Sequence, residues 1–254
     1  IIQMKKQLKL IFGNAFDEMK KIEDKSMDMI FTDPPYGITQ NPWDQVPPLQ
    51  EMWSQFNRIT KDNGAMVITA AQPFASQLIL ANTDNFKYEI IWKKTVGSGQ
   101  LNIKRQPLRI HENILIFYKQ QPTYNEQKTE GKPYKIKRKV NYCNENYGKQ
   151  VNNSKINNGF RHAKSVIEIS NPRIKGGHPT QKPVSLVEYF IKTFTKEQDI
   201  IFDPFMGSGT TGEACVNLNR KFVGIELDKK YFLMSEERLN KCYIGHTVNK
   251  NAKK

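Results

Sequence analysis

The sequence predicts an α/β protein built on a doubly wound, mostly parallel sheet, and three observations carry that expectation. Short apolar runs alternate with segments of helical periodicity through the first 118 residues, the alternation resumes after residue 176, and a polar, basic interval separates the two stretches. Strands that alternate with helices are the pattern of parallel strands joined by crossover connections. In order, Lys9–Phe12 runs apolar into Gly13-Asn14-Ala15, and a short helix is expected from about Asp17 to Ile22. Met27–Thr32 reads as a buried strand that stops at Asp33-Pro34-Pro35-Tyr36, where two prolines remove two backbone donors and stiffen the turn. Four Pro or Gly between Gly37 and Pro48 mark a loop that carries Trp43. Leu49, Met52, Trp53, Phe56 and Ile59 recur at the spacing of one helix face. Asn63-Gly64 then reads as a turn, Ala65–Ala70 as a strand, Phe74–Ala81 as a helix, and Tyr88–Trp92 and Asn113–Tyr118 as strands. After the interval come a helix at Pro183–Phe194, a strand at Ile200–Phe202, a glycine-rich turn at Asp203–Gly209 and a helix to about Asn217. A strand at Phe222–Leu227, a helix from about Lys230 to Cys242, and a polar tail that frays beyond Gly245 complete the chain.

Composition narrows the classes. A chain of 254 residues buries roughly 70–75% of its unfolded surface and needs no covalent staples. No run approaches 18 apolar residues, so no membrane span is expected. The basic segment Ile1–Leu10 lacks a signal-peptide core; Met4 reads as the start and Ile1–Gln3 as a remnant of cloning or truncation. Cys143, Cys215 and Cys242 stand far apart with no CxxC, which points to thiols in a reducing cytoplasm rather than to zinc or disulfides, and no metal is expected. The net charge is +14, and between Lys119 and Lys175 there are 13 Lys or Arg against 4 Glu and no Asp. Charge segregated in that way favours a polyanion groove over general solubility.

Two motifs carry chemistry. Asp203-Pro204-Phe205-Met206-Gly207-Ser208-Gly209-Thr210 lies between a strand and a helix, where glycines let backbone approach a ligand and the helix start offers unpaired N–H groups. Further on, Glu226 closes a strand where a carboxylate can accept from a ribose diol. The Walker lysine and the full GxGxxG spacing are missing, so a ribose-bearing ligand with few phosphates fits best, and a tight turn without ligand fits as well. At Asp33-Pro34-Pro35-Tyr36 the expected offering is a carboxylate, a carbonyl and an aromatic face with no nearby donors. That combination suits a flat ring bearing an NH2 group; the plain alternative is a strand-ending turn.

Asp33-Pro34-Pro35-Tyr36, followed by His178-Pro179-Thr180-Gln181-Lys182-Pro183 and then by Asp203–Thr210, resembles the β class of S-adenosylmethionine-dependent DNA amino-methyltransferases. The resemblance covers the chain except 119–175, where that family keeps its target-recognition region. It implies a circularly permuted Rossmann-like methyltransferase fold: a catalytic half at 1–118, a basic target-recognition insert at 119–175, a cofactor-binding half at 176–245 and a polar tail at 246–254. In a doubly wound sheet the strands that end at Asp33 and Asp203 would lie side by side at the topological switch point, opening on one crevice. The implied reaction moves a methyl group from S-adenosylmethionine to adenine N6 in double-stranded DNA by base flipping and direct displacement. Cytosine N4 is the nearest alternative acceptor, and an RNA base or a protein amide the next. Carbon-5 methylation is set aside because no Pro-Cys nucleophile is present.

By the same resemblance, Asp33 and Pro34 accept the target amine's hydrogens, Pro35 stiffens the turn and Tyr36 stacks on the extruded base. Asn14, Ala15, Asp33, His178, Thr180, Lys182, Asp203, Pro204, Phe205, Gly207, Ser208, Gly209, Thr210 and Glu226 are the implied cofactor residues. Asn14 stands where many relatives have Asp, and its amide oxygen can also accept a hydrogen bond. Lys135, Lys137, Arg138, Lys139, Arg161 and Lys164 are the implied phosphate contacts. Tyr124, Tyr134, Tyr142 and Tyr147 either stack on bases or pack the insert. The resemblance further implies a bacterial or phage-encoded cytoplasmic protein, a homodimer, and service in restriction–modification beside a separate endonuclease or as a solitary methylase.

Overall fold

Strands covered on both faces are apolar at successive positions, and that pattern builds the centre of the sheet. The computed structural model describes residues 7–37, 44–135, 143–144, 148–149, 156–171 and 181–251. The chain opens with β1 (Leu8–Phe12), α1 (Ala15–Met19), β2 (Met27–Thr32), α2 (Leu49–Ile59), β3 (Thr60–Ala70), α3 (Phe74–Leu80), β4 (Phe86–Ser98) and β5 (Arg109–Phe117). Six two-residue strands follow: β6 (Thr129–Glu130), β7 (Tyr134–Lys135), β8 (Cys143–Asn144), β9 (Gly148–Lys149), β10 (Ile156–Asn157) and β11 (Phe160–Arg161). Then come β12 (Val166–Glu168), α4 (Val184–Phe194), β13 (Ile200–Asp203), α5 (Thr210–Asn217), β14 (Lys221–Glu226) and α6 (Lys229–Asn251).

Eight strands form one sheet in the order β1-β14-β13-β2-β3-β5-β4-β12. Only the pairings of β5, with β3 and β4, are antiparallel; the others are parallel. Side chains alternate between two cores. Ala65 and Val67 of β3 face the core that α4 and α5 cover with Leu186, Phe190 and Ala214. Met66 and Ile68 face the other, covered by Met52 and Phe56 of α2 and Phe74 of α3. Helices on both faces of a mostly parallel sheet make the expected doubly wound architecture.

Several boundaries differ from the sequence expectation. Asn14 is the N-cap of α1, its side chain accepting from Phe16 N, so the helix begins at Ala15 rather than Asp17. Asn63-Gly64 lies within β3, at a register irregularity against β2. A Cβ on Gly64 would meet the Asp28 carbonyl oxygen at 2.9 Å, which explains the glycine without a hairpin turn. β4 continues past Trp92 to Ser98 because β5 pairs with it as far as Ser98↔Arg109. No proline interrupts the C-terminal segment, and α6 continues through Gly245 to Asn251, where a frayed tail was expected.

The chain divides into two units, Ile1–Asn125 with Ser165–Lys254, and Glu126–Lys164. The second is therefore shorter than the 119–175 expected. Tyr124 packs its ring 6.3 Å from Phe194, and Asn125 Nδ2 donates to the carbonyls of Lys192 and Thr195, which ties 124–125 to α4. On the other side β12 pairs with β4, and Trp92 Nε1 donates to the Ile169 carbonyl at 2.9 Å. Within the second unit β6 pairs with β11, β7 with β10 and β8 with β9, a nested antiparallel ladder. Among the described residues no helix is long and apolar enough to cross a membrane.

Candidate active site

Neighbouring strands bring the two motifs together. β13 pairs with β2, and their crossovers depart in opposite directions, β13 toward β14 and β2 toward β3. Such a switch point opens a crevice at the carboxyl ends of the strands. Thr32 Oγ1, at the end of β2, donates to Asp203 Oδ1, at the end of β13, at 2.8 Å. A cavity of about 1090 Å³ opens there, lined by Asn14, Ala15, Asp33, Pro34, Pro35, Tyr36, Lys182, Asp203, Pro204, Phe205, Gly207, Ser208, Thr210 and Glu226.

The Asp33 turn is richer in donors than the sequence suggested. The Tyr36 hydroxyl donates to Asp33 Oδ1 at 2.5 Å, and the Thr69 hydroxyl donates to the same oxygen. Lys182 Nζ holds Oδ2 at 2.5 Å and reaches Glu112 Oε2 at 3.4 Å, while Lys94 Nζ lies 3.0 Å from Glu112 Oε1. The expectation of a carboxylate without nearby donors is thus corrected: Tyr36 of the turn itself, Thr69 of β3 and Lys182 before α4 all donate to it. Asp44 Oδ1 accepts from Tyr36 N and Gly37 N at 2.8 and 2.9 Å, fixing the far side of the turn, where Gly37 takes φ +70°. The Tyr36 ring stacks on Phe74 with centroids 5.5 Å apart. Burial, with the adjacent Asp33 charge, raises the Tyr36 phenol well above its ordinary value, so it stays a donor. Burial alone would lower the Lys182 ammonium, but Asp33 and Glu112 outweigh it and the net shift is upward. Burial likewise pushes Glu112 up, and Lys182 and Lys94 more than offset it, leaving its carboxyl below the usual range.

Thr69, Glu112, Lys94 and Asp44 were not read from the sequence. Two of them left a signal in strand parity. On β4 the buried positions are Ile90, Trp92 and Lys94, so a lysine occupies the inward phase of an alternating strand. On β5 Glu112 shares phase with buried Ile114 and Ile116. Charged residues in a buried phase are expected to be paired.

The glycine-rich loop is held from within. Asp203, 3% exposed, accepts from Thr32 Oγ1 and Phe205 N through Oδ1 and from Thr211 Oγ1 through Oδ2. Gly207 takes φ +53° with open space where a Cβ would stand, so its backbone faces the cavity without obstruction. Gly209 is different: it does not line the cavity, and a Cβ there would meet Ser235 Cβ at 3.0 Å. Close packing against α6, together with a φ of +83°, accounts for that glycine whether or not a ligand is bound. Glu226 Oε2 accepts from Gly207 N at 2.8 Å and Oε1 from Asp228 N at 2.7 Å. Each carboxylate oxygen has a further lone pair for a diol, and burial raises this carboxyl despite the two N–H groups. Asn14 Oδ1 is engaged by Phe16 N at 2.8 Å, so the capping bond limits what it offers a ligand.

Burial also raises the Asp203 carboxyl from 3.8 to about 7. A raised acid binds more protons folded than unfolded, so its contribution to stability is complete below the unfolded value and declines as pH rises through the folded one. Three pH units correspond to on the order of 4 kcal/mol. Asp203→Asn keeps the two accepted bonds on one oxygen and removes the titration. Thermal unfolding should therefore show the variant gaining on the wild type by several degrees between pH 5 and pH 8, and parallel curves would contradict this.

Of the expected phosphate contacts, Lys135 and Lys164 are exposed. Arg161 is not free: it donates to Asn157 Oδ1 at 2.7 Å and the Lys132 carbonyl at 2.6 Å, and lies 4.6 Å over the Tyr134 ring. Its guanidinium braces the ladder, which also places Tyr134 in packing. Lys137, Arg138, Lys139, His178, Thr180, Trp43, Tyr142 and Tyr147 lie outside the described residues.

Comparison with known proteins gives consistent matches. The family described as DNA methylase matches residues 27–237. The Type II methyltransferase M2.LlaDCHI of Lactococcus lactis subsp. cremoris is 30% identical over 262 residues, covering 91% of this chain and 89% of the relative. The DNA adenine methyltransferase YhdJ of Escherichia coli (strain K12) is 30% identical over 247 residues, covering 91% and 82%. Among solved structures, the M1.HpyAVI–SAM complex shares 31% identity at a TM-score of 0.64 over 92% of this chain and 99% of the other. The cytosine-N4-specific PvuII DNA methyltransferase, at 16% identity and a TM-score of 0.65, shares the fold.

Proposed function

This chain belongs to the DNA methylase family, and from that premise we propose that it methylates adenine at the exocyclic N6 within a specific site of double-stranded DNA. It is an S-adenosylmethionine-dependent DNA methyltransferase; the acceptor base and the residue roles are our reading. The observation that carries that reading is the shared cavity: Asp33 and Pro34 stand at the end of β2, beside the glycine-rich loop at the end of β13. S-Adenosylmethionine supplies, when bound, a sulfonium methyl group that a nucleophilic nitrogen can displace.

The chain's own residues orient that nitrogen. The Asp33 carboxylate and the Pro34 carbonyl accept the amino hydrogens, so the lone pair is directed. The amine nitrogen gains the methyl carbon as the sulfur–methyl bond breaks, the thioether S-adenosylhomocysteine leaves, the nitrogen gives up one proton to solvent, and no covalent enzyme intermediate is needed. The target amine competes with Lys182, Tyr36 and Thr69 for Asp33, which makes the turn a preformed acceptor held in one rotamer. Tyr36, stacked on Phe74, offers a flat face to a base extruded from the duplex. On the other side Phe205, the open backbone of Gly207 and the Glu226 carboxylate suit the adenosine and methionine portions of the donor. Exposed Lys135 and Lys164 contact phosphates. The same reading places the chain in restriction–modification as a homodimer, with a separate endonuclease as counterpart.

Incubating the protein with duplex DNA and S-adenosylmethionine, digesting to nucleosides and weighing the products tests this. N6-methyladenine is expected. N4-methylcytosine would move the acceptor to cytosine, and methylation confined to RNA would overturn the DNA substrate.

A further inference from the structure

The β4–β5 hairpin presents apolar side chains to solvent at the mouth of the cavity. Val96, Gly97, Ser98, Gln100 and Arg109 line the cavity, and beyond them every residue from Ser98 to His111 is exposed. Leu101 is 100% exposed and Ile103 61%. Single exposed leucines need no explanation, but large aliphatic side chains gathered at one tip beside a binding cavity indicate a contact surface.

The tip is built for that presentation. Gly99 takes φ +92° and starts a single 3₁₀ turn, Gln100–Asn102. Gln100 Nε2 donates to the Gly97 carbonyl at 2.9 Å. Arg105 N and Gln106 N both donate to the Asn102 carbonyl, at 2.8 and 3.0 Å. At the base of the hairpin Asn171 Oδ1 accepts from Val96 N at 2.9 Å. Leu101 and Ile103 are thus held outward by a hydrogen-bonded turn.

Charge selects the occupant. From Lys93 to His111 there are five Lys or Arg and no acidic residue. Lys93 and Lys94 pair with Glu168 and Glu112, which leaves Lys104, Arg105 and Arg109 without an acidic partner among the described residues. A second copy of this chain would bring the same positive tip against itself, whereas a duplex brings phosphates. Apolar side chains that enter between base steps unstack them, and nearby cations hold the backbone on either side.

We infer that the β4–β5 hairpin is a DNA wedge: Leu101 and Ile103 enter the base stack beside the extruded nucleotide while Lys104 and Arg105 hold the flanking phosphates. The inference rests on the duplex substrate proposed above and adds a DNA contact outside the basic insert.

The test compares wild type with Leu101→Ala/Ile103→Ala on two duplexes carrying the methylated site, one fully paired and one with the target base opposite an abasic position. A base without a partner is easier to extrude. The variant should lose roughly tenfold or more in methylation rate on the paired duplex and recover to within about threefold of wild type on the abasic one. Its S-adenosylmethionine affinity should be unchanged, because neither side chain lines the cavity. Separately, Lys104→Ala/Arg105→Ala should reduce the salt slope of duplex binding by about two. Equal rates on the paired duplex, equal losses on both duplexes, or a dimer-to-monomer change in light scattering would each overturn the wedge. A wild-type protein that methylates neither duplex would instead sink the substrate reading.

Discussion

Asp33→Ala is expected to abolish methyl transfer to DNA while S-adenosylmethionine affinity stays within a few-fold of wild type. The carboxylate stands at the carboxyl end of β2, 26% exposed in its side chain, with one oxygen on Lys182 and the other shared by Tyr36 and Thr69. Removing it takes away the group that directs the amine's hydrogens, and a misdirected lone pair alone costs about 10²-fold or more in rate. Loss of a preorganised electrostatic contact in such sites adds a further factor of about 10²–10³. The glycine-rich loop should survive, because its anchors are Asp203 on Thr32 and Thr211 and Glu226 on Gly207, none of which passes through Asp33. Asp33→Asn separates charge from shape: its amide oxygen still accepts, and turnover should fall less than for alanine. Single-turnover methylation and calorimetric titration with S-adenosylmethionine make the comparison. Retained turnover in Asp33→Ala would remove Asp33 from the reaction.

What could be read beforehand, and what could not, follows from the range of the forces involved. Met27–Thr32 announced itself because a strand covered on both faces is mostly apolar, as it is at Met27 and Met29–Phe31, and Pro34 and Pro35 mark where it ends. The adjacency of β2 and β13 was legible because a doubly wound sheet offers one switch point for two motif-bearing strands. Contacts between side chains distant in sequence were not legible. Lys182 reads from its motif as a cofactor residue, yet 149 positions of chain close to put its ammonium on Asp33. Gly207 and Gly209 look alike in sequence, and only the helix packed behind the loop distinguishes a cavity-lining glycine from one pressed against Ser235. Arg161 sits in a basic run that suggests phosphate, but Asn157, the Lys132 carbonyl and the Tyr134 ring already engage it. The limits of the insert were blurred because β12 pairs with β4 through a backbone ladder, which composition does not encode.

Lys182→Met should destabilise the fold by about 3–5 kcal/mol near neutral pH, the usual consequence of removing one partner from a buried ion pair. Lys182 is 9% exposed and serves two carboxylates, Asp33 at 2.5 Å and Glu112 at 3.4 Å, so methionine fills the volume and leaves both acids short of a cation. Glu112 keeps Lys94 at 3.0 Å, which limits the damage on that side. The pH dependence discriminates this account from simple loss of packing. The Glu112 carboxyl is held below its ordinary 4.5, so its contribution is present above that value and lost as pH falls through the lowered one. The Lys182 ammonium is held above 10.5, so its contribution is complete below that value and lost only as pH rises through the raised one. Both signs place the largest difference between wild type and variant across the neutral range, shrinking toward acid as Glu112 takes up a proton. Urea unfolding at pH 7.5 and at a series of pH values descending well below 4.5 measures the gaps. Lost packing predicts equal gaps at every pH value, and that result would show that the ammonium stabilises the turn by its volume rather than by its charge.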